Sequence, residues 1–259
     1  MKLKAHQRII REKKAKEKPP LGLFPDKPAE INLQTAKIKR INYQTAEKII
    51  KEYEWLGTMP TYCTHYFGIY FNGICGGVVV FGISLPKNVL GSICGKEYLK
   101  NVRVLSRGAC VHWTPTGSAT KLIGNSLKLL KKEGYKIILA YSDVRAGEIG
   151  TIYQACNFLY TGVSKGGKEV LIDNKWRTRM PRCVIENRVK IKDLPSRERS
   201  LKHRYVYLMG TRKDVKELKN KLNYKILPYP KRSNAVEVSR EIHINSIGEG
   251  AGQYRDTAQ

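Results

Sequence analysis

The chain has 259 residues, and 41% of them are hydrophobic, which is enough for one domain with a substantial core. It carries 48 Lys and Arg against 22 Asp and Glu, a formal net charge of +26 that indicates a polyanionic partner, nucleic acid before an anionic membrane. No apolar run is long enough to cross a bilayer, and the N-terminus lacks the apolar run of a secretory signal, so we expect a cytoplasmic protein without membrane contact.

Residues 1–30 are rich in Lys and Arg and then in Pro. Lys and Arg dominate the first eighteen positions, and four prolines between residues 19 and 28 exclude a continuous helix over the segment. One interpretation is a solvated, partly disordered tail, and the other is a basic arm that follows phosphates. The two interpretations are compatible.

Residues 31–100 predict the order β-α-β-β followed by a loop. Residues 35–41 alternate like a strand, and Asn42 is placed to cap a helix with apolar residues at helical spacing. Asn72-Gly73 lies between two runs of β-branched and aromatic residues, which is a strong hairpin signal. Residues 83–100 contain several Gly and Pro residues and are predicted to form the loop.

The centre of the chain predicts two strand–helix units and a further strand. Its apolar runs have the pattern of buried strands, and the helix between them has an apolar stripe opposite four lysines. The predicted elements are a strand over 102–111, a turn over 114–119, a helix ending at Gly134, a strand over 137–141, a helix over 149–156 and a strand from Phe158.

The turn before the first of these helices contains Gly117, Ser118, Ala119 and Thr120. Small residues at a strand-to-helix turn leave backbone N–H groups pointing outward at the positive end of the helix dipole, where they bind phosphate. The alternative is an ordinary strand-to-helix turn. Asp143 follows the next strand, at the sheet edge where ligands of open α/β sheets bind, and is either a general base or a turn residue.

Residues 164–200 read as a basic insertion. Arg and Lys would neutralise phosphates there and Trp176 would stack on a base, unless the insertion is only a solvated loop. The candidate DNA-binding residues are Trp176, Arg177, Arg179, Arg182, Arg188 and Lys190. A strand over 204–209 and a helix over 214–222 follow. We therefore expect an arm over 1–30, one domain over 31–232 and a disordered tail over 233–259.

The six cysteines form no C-x-x-C pair, and most of them lie in apolar patterns. We favour reduced core thiols over disulfides or zinc. Cys63 and His65, and Cys110 and His112, each share one face of a strand and could meet in a metal site, but the core interpretation is favoured, and the metal is left open. His65 is also a candidate base. Glu52 and Glu54, near the end of the first predicted helix of the domain, are expected to be solvated.

The order of elements over 31–209 resembles the GNAT acyltransferase fold. The phosphate turn of that superfamily is Gln/Arg-x-x-Gly-x-Gly/Ala, and Gly117-Ser118-Ala119 fits its second half, whereas Thr114 stands where Gln or Arg is usual. Tyr153 and the Asn157-Phe158 step match the Tyr and Gly-Phe-like step of its last helix loosely. The resemblance implies a mixed α/β (α+β) fold with a mostly antiparallel central sheet flanked by helices, and a CoA thioester as donor.

Three segments resemble more narrowly the Mom family of phage DNA-modification proteins. They read VLSRGACV, SD followed by GTIYQACNFLYTG, and KHRYVYLMG followed by LPYPK. The resemblance covers about residues 35–232. It implies an enzyme that converts adenine in double-stranded DNA to N6-carbamoylmethyl (acetamido) adenine, which protects phage DNA from host restriction.

The same resemblance assigns roles to three residues. Arg107 and Tyr153 match the positions thought to hold the acyl donor, and Asp143 matches an acidic position ten residues before the Tyr. Acetyl-CoA or another acyl donor is implied. The acetamido product needs C–N bond formation at a methylene carbon, for which a metal ion or a second substrate remains an option. Reaction on a paired base also implies base flipping.

Arg107 lies in the middle of an apolar strand, where a guanidinium must be paired. It is either a donor contact or half of a structural ion pair. Tyr153 is either a donor contact or a core aromatic. Two other functions stay open: a GNAT acetyltransferase acting on protein, amine or tRNA, and a non-enzymatic nucleic-acid-binding protein. The oligomeric state is open, with a homodimer as one option.

Overall fold

A computed structural model describes residues 4–17, 28, 30–164, 167–172, 175–177 and 194–231, the side chains of 175–177 excepted. Ten strands and six α-helices are found in these ranges. The helices are α1 (His6–Lys16), α2 (Tyr43–Tyr53), α3 (Lys87–Gly91), α4 (Ser118–Lys132), α5 (Thr151–Ala155) and α6 (Arg212–Asn220). The strands are β1 (Lys37–Arg40), β2 (Cys63–Phe71), β3 (Ile74–Gly82), β4 (Val102–Cys110), β5 (Ile137–Asp143), β6 (Leu159–Ser164), β7 (Lys168–Ile172), β8 (Lys175–Arg177), β9 (Ser196–Glu198) and β10 (Lys202–Leu208).

Seven strands form one sheet in the order β1-β2-β3-β4-β5-β10-β6. All neighbours in it are antiparallel except β4 and β5, which run parallel with α4 as their crossover. This topology confirms the predicted mixed, mostly antiparallel sheet flanked by helices. It also brings β10, which is late in the sequence, between β5 and β6.

The alternation of side chains along β3 divides the core into two layers. Val79 and Phe81 pack with α4, whereas Val78 and Val80 pack with α2. The turn before β3 is the predicted hairpin: Asn72 and Gly73 have φ angles of 45° and 85°, the left-handed pair that a two-residue hairpin requires. A buried face on each side of the sheet therefore fixes which residues of the neighbouring β4 meet which helix.

β4 and β5 are paired over only part of their length. Residues 102–105 of β4 pair with 137–140 of β5, and the register of β4 against β3 shifts between Leu105 and Arg107. A bulge at this place leaves Ser106 unpaired and bends β4 away from β5. The C-terminal ends of the two parallel strands are therefore apart, and Arg107 lies just beyond the point where pairing stops.

Three elements differ from the sequence expectations. α1 forms within the segment expected to be a solvated, partly disordered tail, and the prolines that argue against a helix all follow it. α3 and a 3₁₀ helix over Lys96–Asn101 replace part of the predicted loop, because Leu90 and Ile93 are buried there. The predicted basic insertion contributes a small sheet in the order β8-β7-β9. The predicted C-terminal tail lies outside the described residues.

The N-terminus of α6 provides a direct test of this fold. Thr211 accepts the Asp214 N–H at 3.2 Å, and Asp214 accepts the Thr211 N–H at 2.8 Å, so the two residues form a capping box. We expect Thr211→Ala to lower the free energy of unfolding by about 1 kcal/mol in urea titrations, because a helix N–H loses its acceptor. Thr211→Ser keeps the hydroxyl and is the matched control. An Ala variant as stable as the Ser variant would contradict the capping assignment.

Candidate active site

The open ends of β4 and β5 hold a cluster of charged side chains. Arg107 pairs in register with Val80, so its side chain projects on the α2 side of the sheet. Its Nε donates to the Thr58 carbonyl at 3.0 Å and lies 3.8 Å from Oε2 of Glu54, the residue that follows α2. The predicted pairing of this strand arginine is thus found, and its partner is a residue that we expected to be solvated.

Glu54 is a buried carboxylate, with 8% of its surface exposed. Its Oε2 accepts the backbone N–H groups of Leu56 at 2.8 Å and Gly57 at 3.2 Å. Burial raises the pKa of Glu54, and the positive charge of Arg107 opposes that rise. A carboxylate with a raised pKa in a charged cleft is a candidate proton acceptor. The expectation of a solvated Glu54 is therefore wrong.

Lys202 and Asp143 lie beside this pair. They are cross-strand neighbours on β10 and β5, with Nζ of Lys202 4.0 Å from Oδ2 of Asp143. Burial lowers the pKa of Lys202, and the charge of Arg107 lowers it further, whereas Asp143 raises it. Lys202 in turn lowers the pKa of Glu54. Two cations and two carboxylates therefore act on one another at this edge of the sheet.

The other contacts of Asp143 are those of a turn residue. Its Oδ1 accepts the Arg145 N–H at 3.0 Å and the hydroxyl of Ser200. Its carbonyl accepts the N–H groups of Ala146 and Glu148. Asp143 thus orders the loop after β5 and keeps one carboxylate oxygen towards Lys202, so both interpretations made from the sequence find contacts here.

Tyr153 reaches the same cleft from α5. Its ring packs on Phe158 and Tyr205, with centroids 5.5 and 5.4 Å apart, and its hydroxyl donates to the Tyr141 carbonyl at 3.5 Å. Burial raises the pKa of Tyr153, and the negative charge of Glu54 raises it further. The phenol is therefore protonated at neutral pH and can donate a hydrogen bond. Arg107 and Tyr153, which the sequence placed in one site, both lie within electrostatic reach of Glu54.

His65 is not part of this cluster. Its Nε2 lies 3.0 Å from Oε2 of Glu133, at the C-terminal end of α4, and its ring stacks on Phe67. Phe67 belongs to the core layer on the α4 side, whereas Arg107 projects on the α2 side. Burial lowers the pKa of His65. A one-residue alternation therefore separates the predicted catalytic histidine from the other candidates.

The predicted phosphate turn keeps open backbone donors. Gly117 has a φ of 91°, a left-handed conformation that turns the chain into α4. The Ser118 N–H and hydroxyl are both bonded to the Pro115 carbonyl. Within the part of the chain that the structure describes, the N–H groups of Ala119 and Thr120 have no protein acceptor. Two open donors at the N-terminus of a fifteen-residue helix fit a phosphate group.

The remaining predicted sites have limited structural support. The backbone of Trp176 and Arg177 lies in β8, and the other four candidate DNA-binding residues fall outside the described residues. Among the described residues no group of three or more His, Cys, Asp or Glu side chains could hold a metal ion. Five cysteines in these ranges are free thiols. No described helix is long and apolar enough to span a membrane.

Two residues of the cleft were not identified from the sequence as functional. Glu54 follows the last residue of an amphipathic helix and precedes Gly57, whose φ of 59° folds the chain back towards the carboxylate. Lys202 opens the alternating run KHRYVYL, and nothing local shows that this run pairs with β5. The signal for Glu54 was present in the sequence, whereas the signal for Lys202 was not.

The Mom protein family model matches residues 35–231 of the chain. The match covers well over half of the sequence, and the chain belongs to that family. It includes Glu54, Arg107, Asp143, Tyr153 and Lys202, and it excludes α1. No curated protein matches the sequence.

Solved structures similar to this chain include three acetyltransferases. An N-acetyltransferase from Staphylococcus aureus Mu50 is 11% identical, with a TM-score of 0.40 over 67% of this chain and 97% of its own. A Bacillus subtilis acetyltransferase in complex with CoA is 9% identical, with a TM-score of 0.41 over 68% and 98%. An Elizabethkingia anophelis GNAT family acetyltransferase with acetyl-CoA bound is 11% identical, with a TM-score of 0.39 over 67% and 98%.

The Glu54–Arg107 contact predicts a direction for one pKa. Folding raises the pKa of Glu54, so its carboxyl stabilises the fold most at low pH, and this stabilisation is lost as the pH rises through the folded-state pKa. We expect Arg107→Gln to raise the pKa of Glu54 further, because the opposing positive charge is gone. Carboxyl-carbon NMR titration, with Glu54→Gln to assign the signal, measures it. Lys136→Gln, which changes a lysine at the far end of β5, is the control. A lower pKa in the Arg107 variant would contradict the contact.

Proposed function

We propose that this member of the Mom protein family is a DNA-modifying enzyme that acts on the exocyclic N6 amine of adenine in double-stranded DNA. The product would be N6-carbamoylmethyl adenine, and the modification would protect phage DNA from restriction. The observation that carries the proposal is the convergence of Arg107, Glu54 and Tyr153 at the parted ends of two parallel strands. A net charge of +26 supports a polyanionic substrate.

Glu54 is the group that we propose as proton acceptor. The contacts described above all involve Oε2, which leaves Oε1 for the adenine amine. Burial makes the carboxylate more basic than a solvated one. In the transfer, N6 would form a bond to the methylene carbon of the donor, the bond from that carbon to the leaving group would break, and the amine proton would pass to Glu54.

Arg107 and Tyr153 would act on the donor. The guanidinium would orient the donor carbonyl, and the protonated phenol of Tyr153 would hydrogen-bond the leaving group and protonate it as it departs. Asp143 would act by holding Lys202 and the loop after β5. Lys202 would add a second positive charge next to the reacting groups.

The donor is an activated acyl or acetamido carrier with phosphate groups, such as acetyl-CoA. Ala119 and Thr120 would bind its phosphates through their open N–H groups, and the donor would supply the electrophilic carbon and the leaving group. The target adenine would have to leave the base stack to reach the cleft, so base flipping belongs to the proposal. The candidate DNA-binding residues of the basic insertion, from Trp176 to Lys190, would contact the backbone.

Mass spectrometry of nucleosides tests this function in cells that express the chain. We expect an adenine adduct of the carbamoylmethyl mass with the unaltered protein. The adduct should fall by about 100-fold or more in Glu54→Gln and in Tyr153→Phe, because general acid–base groups contribute about 10²–10⁴-fold. Asp143→Ala should also reduce it. The matched control is Glu47→Gln, an exposed-face glutamate of the same helix that pairs with Lys51, and it should keep the adduct.

Two results would replace the proposal. Unchanged DNA together with acetylated protein, amine or tRNA would identify an ordinary acetyltransferase. No adduct on any of these, with salt-sensitive DNA binding retained in Arg107→Ala, would identify a non-enzymatic binding protein.

A further inference from the structure

The helix α1 docks across the open ends of β4 and β5. At its start, the His6 N–H donates to the Ala146 carbonyl in the loop after β5 at 2.9 Å. Further along, Nη2 of Arg11 donates to the carbonyls of His112 at 3.2 Å and Thr114 at 3.0 Å, in the loop after β4. Between these two loops, Gln7 donates to the Tyr53 carbonyl at the end of α2. α1 therefore lies beside the mouth of the candidate active site.

One face of α1 makes these contacts and the opposite face is cationic. Gln7, Ile10, Arg11 and Lys14 follow the i, i+3, i+4, i+7 spacing of a single helix face, and all four are partly buried. The outward face carries Arg8, Lys13 and Lys16, which are exposed. The side chains of Arg8 and Lys13 are 63% and 76% accessible. The docking of α1 thus fixes the direction in which its free cations point.

The ion pairs within α1 do not neutralise this face. Residues 4–17 contain six Lys or Arg and two Glu, which leaves a formal charge of +4. Glu12 pairs with Arg8 at 3.1 Å and Glu17 pairs with Lys13 at 3.8 Å, both on the surface. Exposed pairs of this kind contribute about 0.3–0.5 kcal/mol and exchange readily for other anions. The cations are therefore available to phosphates.

The shape and composition of α1 favour duplex DNA over a lipid surface. Its eleven residues span about 16 Å, a length over which duplex DNA presents about ten phosphate charges. A membrane-bound helix needs a broad face of large apolar side chains. The outward face of α1 has Ile9 as its one large apolar side chain, flanked by Arg8, Lys13 and Lys16.

We propose that the outward face of α1, formed by Arg8, Lys13 and Lys16, is a phosphate-binding surface that holds duplex DNA over the cleft between β4 and β5. The DNA substrate is taken from the proposed function, but the binding surface is tested separately from the reaction. The helix lies outside residues 35–231, which match the family model. The surface is thus specific to the N-terminal part of this chain.

The test compares two triple variants of equal charge. Arg8→Gln, Lys13→Gln and Lys16→Gln remove the α1 cations, and Lys213→Gln, Lys216→Gln and Lys219→Gln remove three exposed cations of α6. α6 follows the end of β10 that pairs with the start of β5, so it lies at the end of the sheet opposite the cleft. Kd for a duplex oligonucleotide would be measured between 50 and 200 mM salt. The salt range is an experimental setting of about the span over which phosphate contacts are resolved.

We expect the α1 variant to bind more weakly and to lose about 0.9 units of the log Kd against log salt slope per phosphate contact, close to 3 in total. The α6 variant should keep the original slope. Equal losses in both variants, or an unchanged slope in the α1 variant, would overturn the proposal. An α1-dependent preference for anionic lipid vesicles over duplex DNA would overturn it too.

The outcomes also separate this inference from the proposed function. Binding through α1 without any adenine adduct would leave the surface assigned and refute the reaction. An adduct formed normally by a protein whose DNA affinity does not depend on α1 would refute the surface and leave the reaction. Circular dichroism of the α1 variant provides the folding control, since no residue within that helix is buried.

Discussion

The parting of β4 and β5 is the constraint on which the rest of the structure depends. The two strands run parallel and pair over four residues, and a bulge in β4 then turns Arg107 towards α2. Parallel strands that continued side by side would bury this edge and leave no room for a substrate. Because they part, the residue after α2, the end of β5 and the start of β10 all border one cleft. The same opening lies next to the N-terminus of α4, where two backbone donors remain open.

Glu54 explains how charge is kept in that cleft. A buried carboxylate is unfavourable unless it is hydrogen-bonded and paired, and Glu54 has two backbone donors and the Arg107 guanidinium. These contacts leave its pKa raised rather than lowered, so the desolvation of the site outweighs the pairing. Lys202 shows the complementary effect, with a lowered pKa next to Asp143. An acid and a base whose pKa values are moved towards neutrality make the cleft suited to proton transfer.

The sequence predicted the fold well where local chemistry decides it. Asn72-Gly73 specified the hairpin, Gly117 marked the start of α4, and alternation predicted most of the strands. It failed where partners are distant in the chain. The face on which His65 projects depends on the register of β2, and the contact between Lys202 and Asp143 depends on β10 entering the sheet beside β5. α1 was missed because its stability comes from docking on loops more than a hundred residues away, and not from an apolar stripe of its own.

The central claim is that the target base meets the donor at the parted ends of β4 and β5. Photo-cross-linking tests it most directly, with duplex DNA that carries a photoreactive adenine analogue and mass spectrometry to map the cross-linked peptides. The account predicts cross-links to residues 54–58 after α2, to Arg107 and to the 143–153 segment. Cross-links confined to α6 or to the β1 edge of the sheet, with none at the cleft, would contradict it.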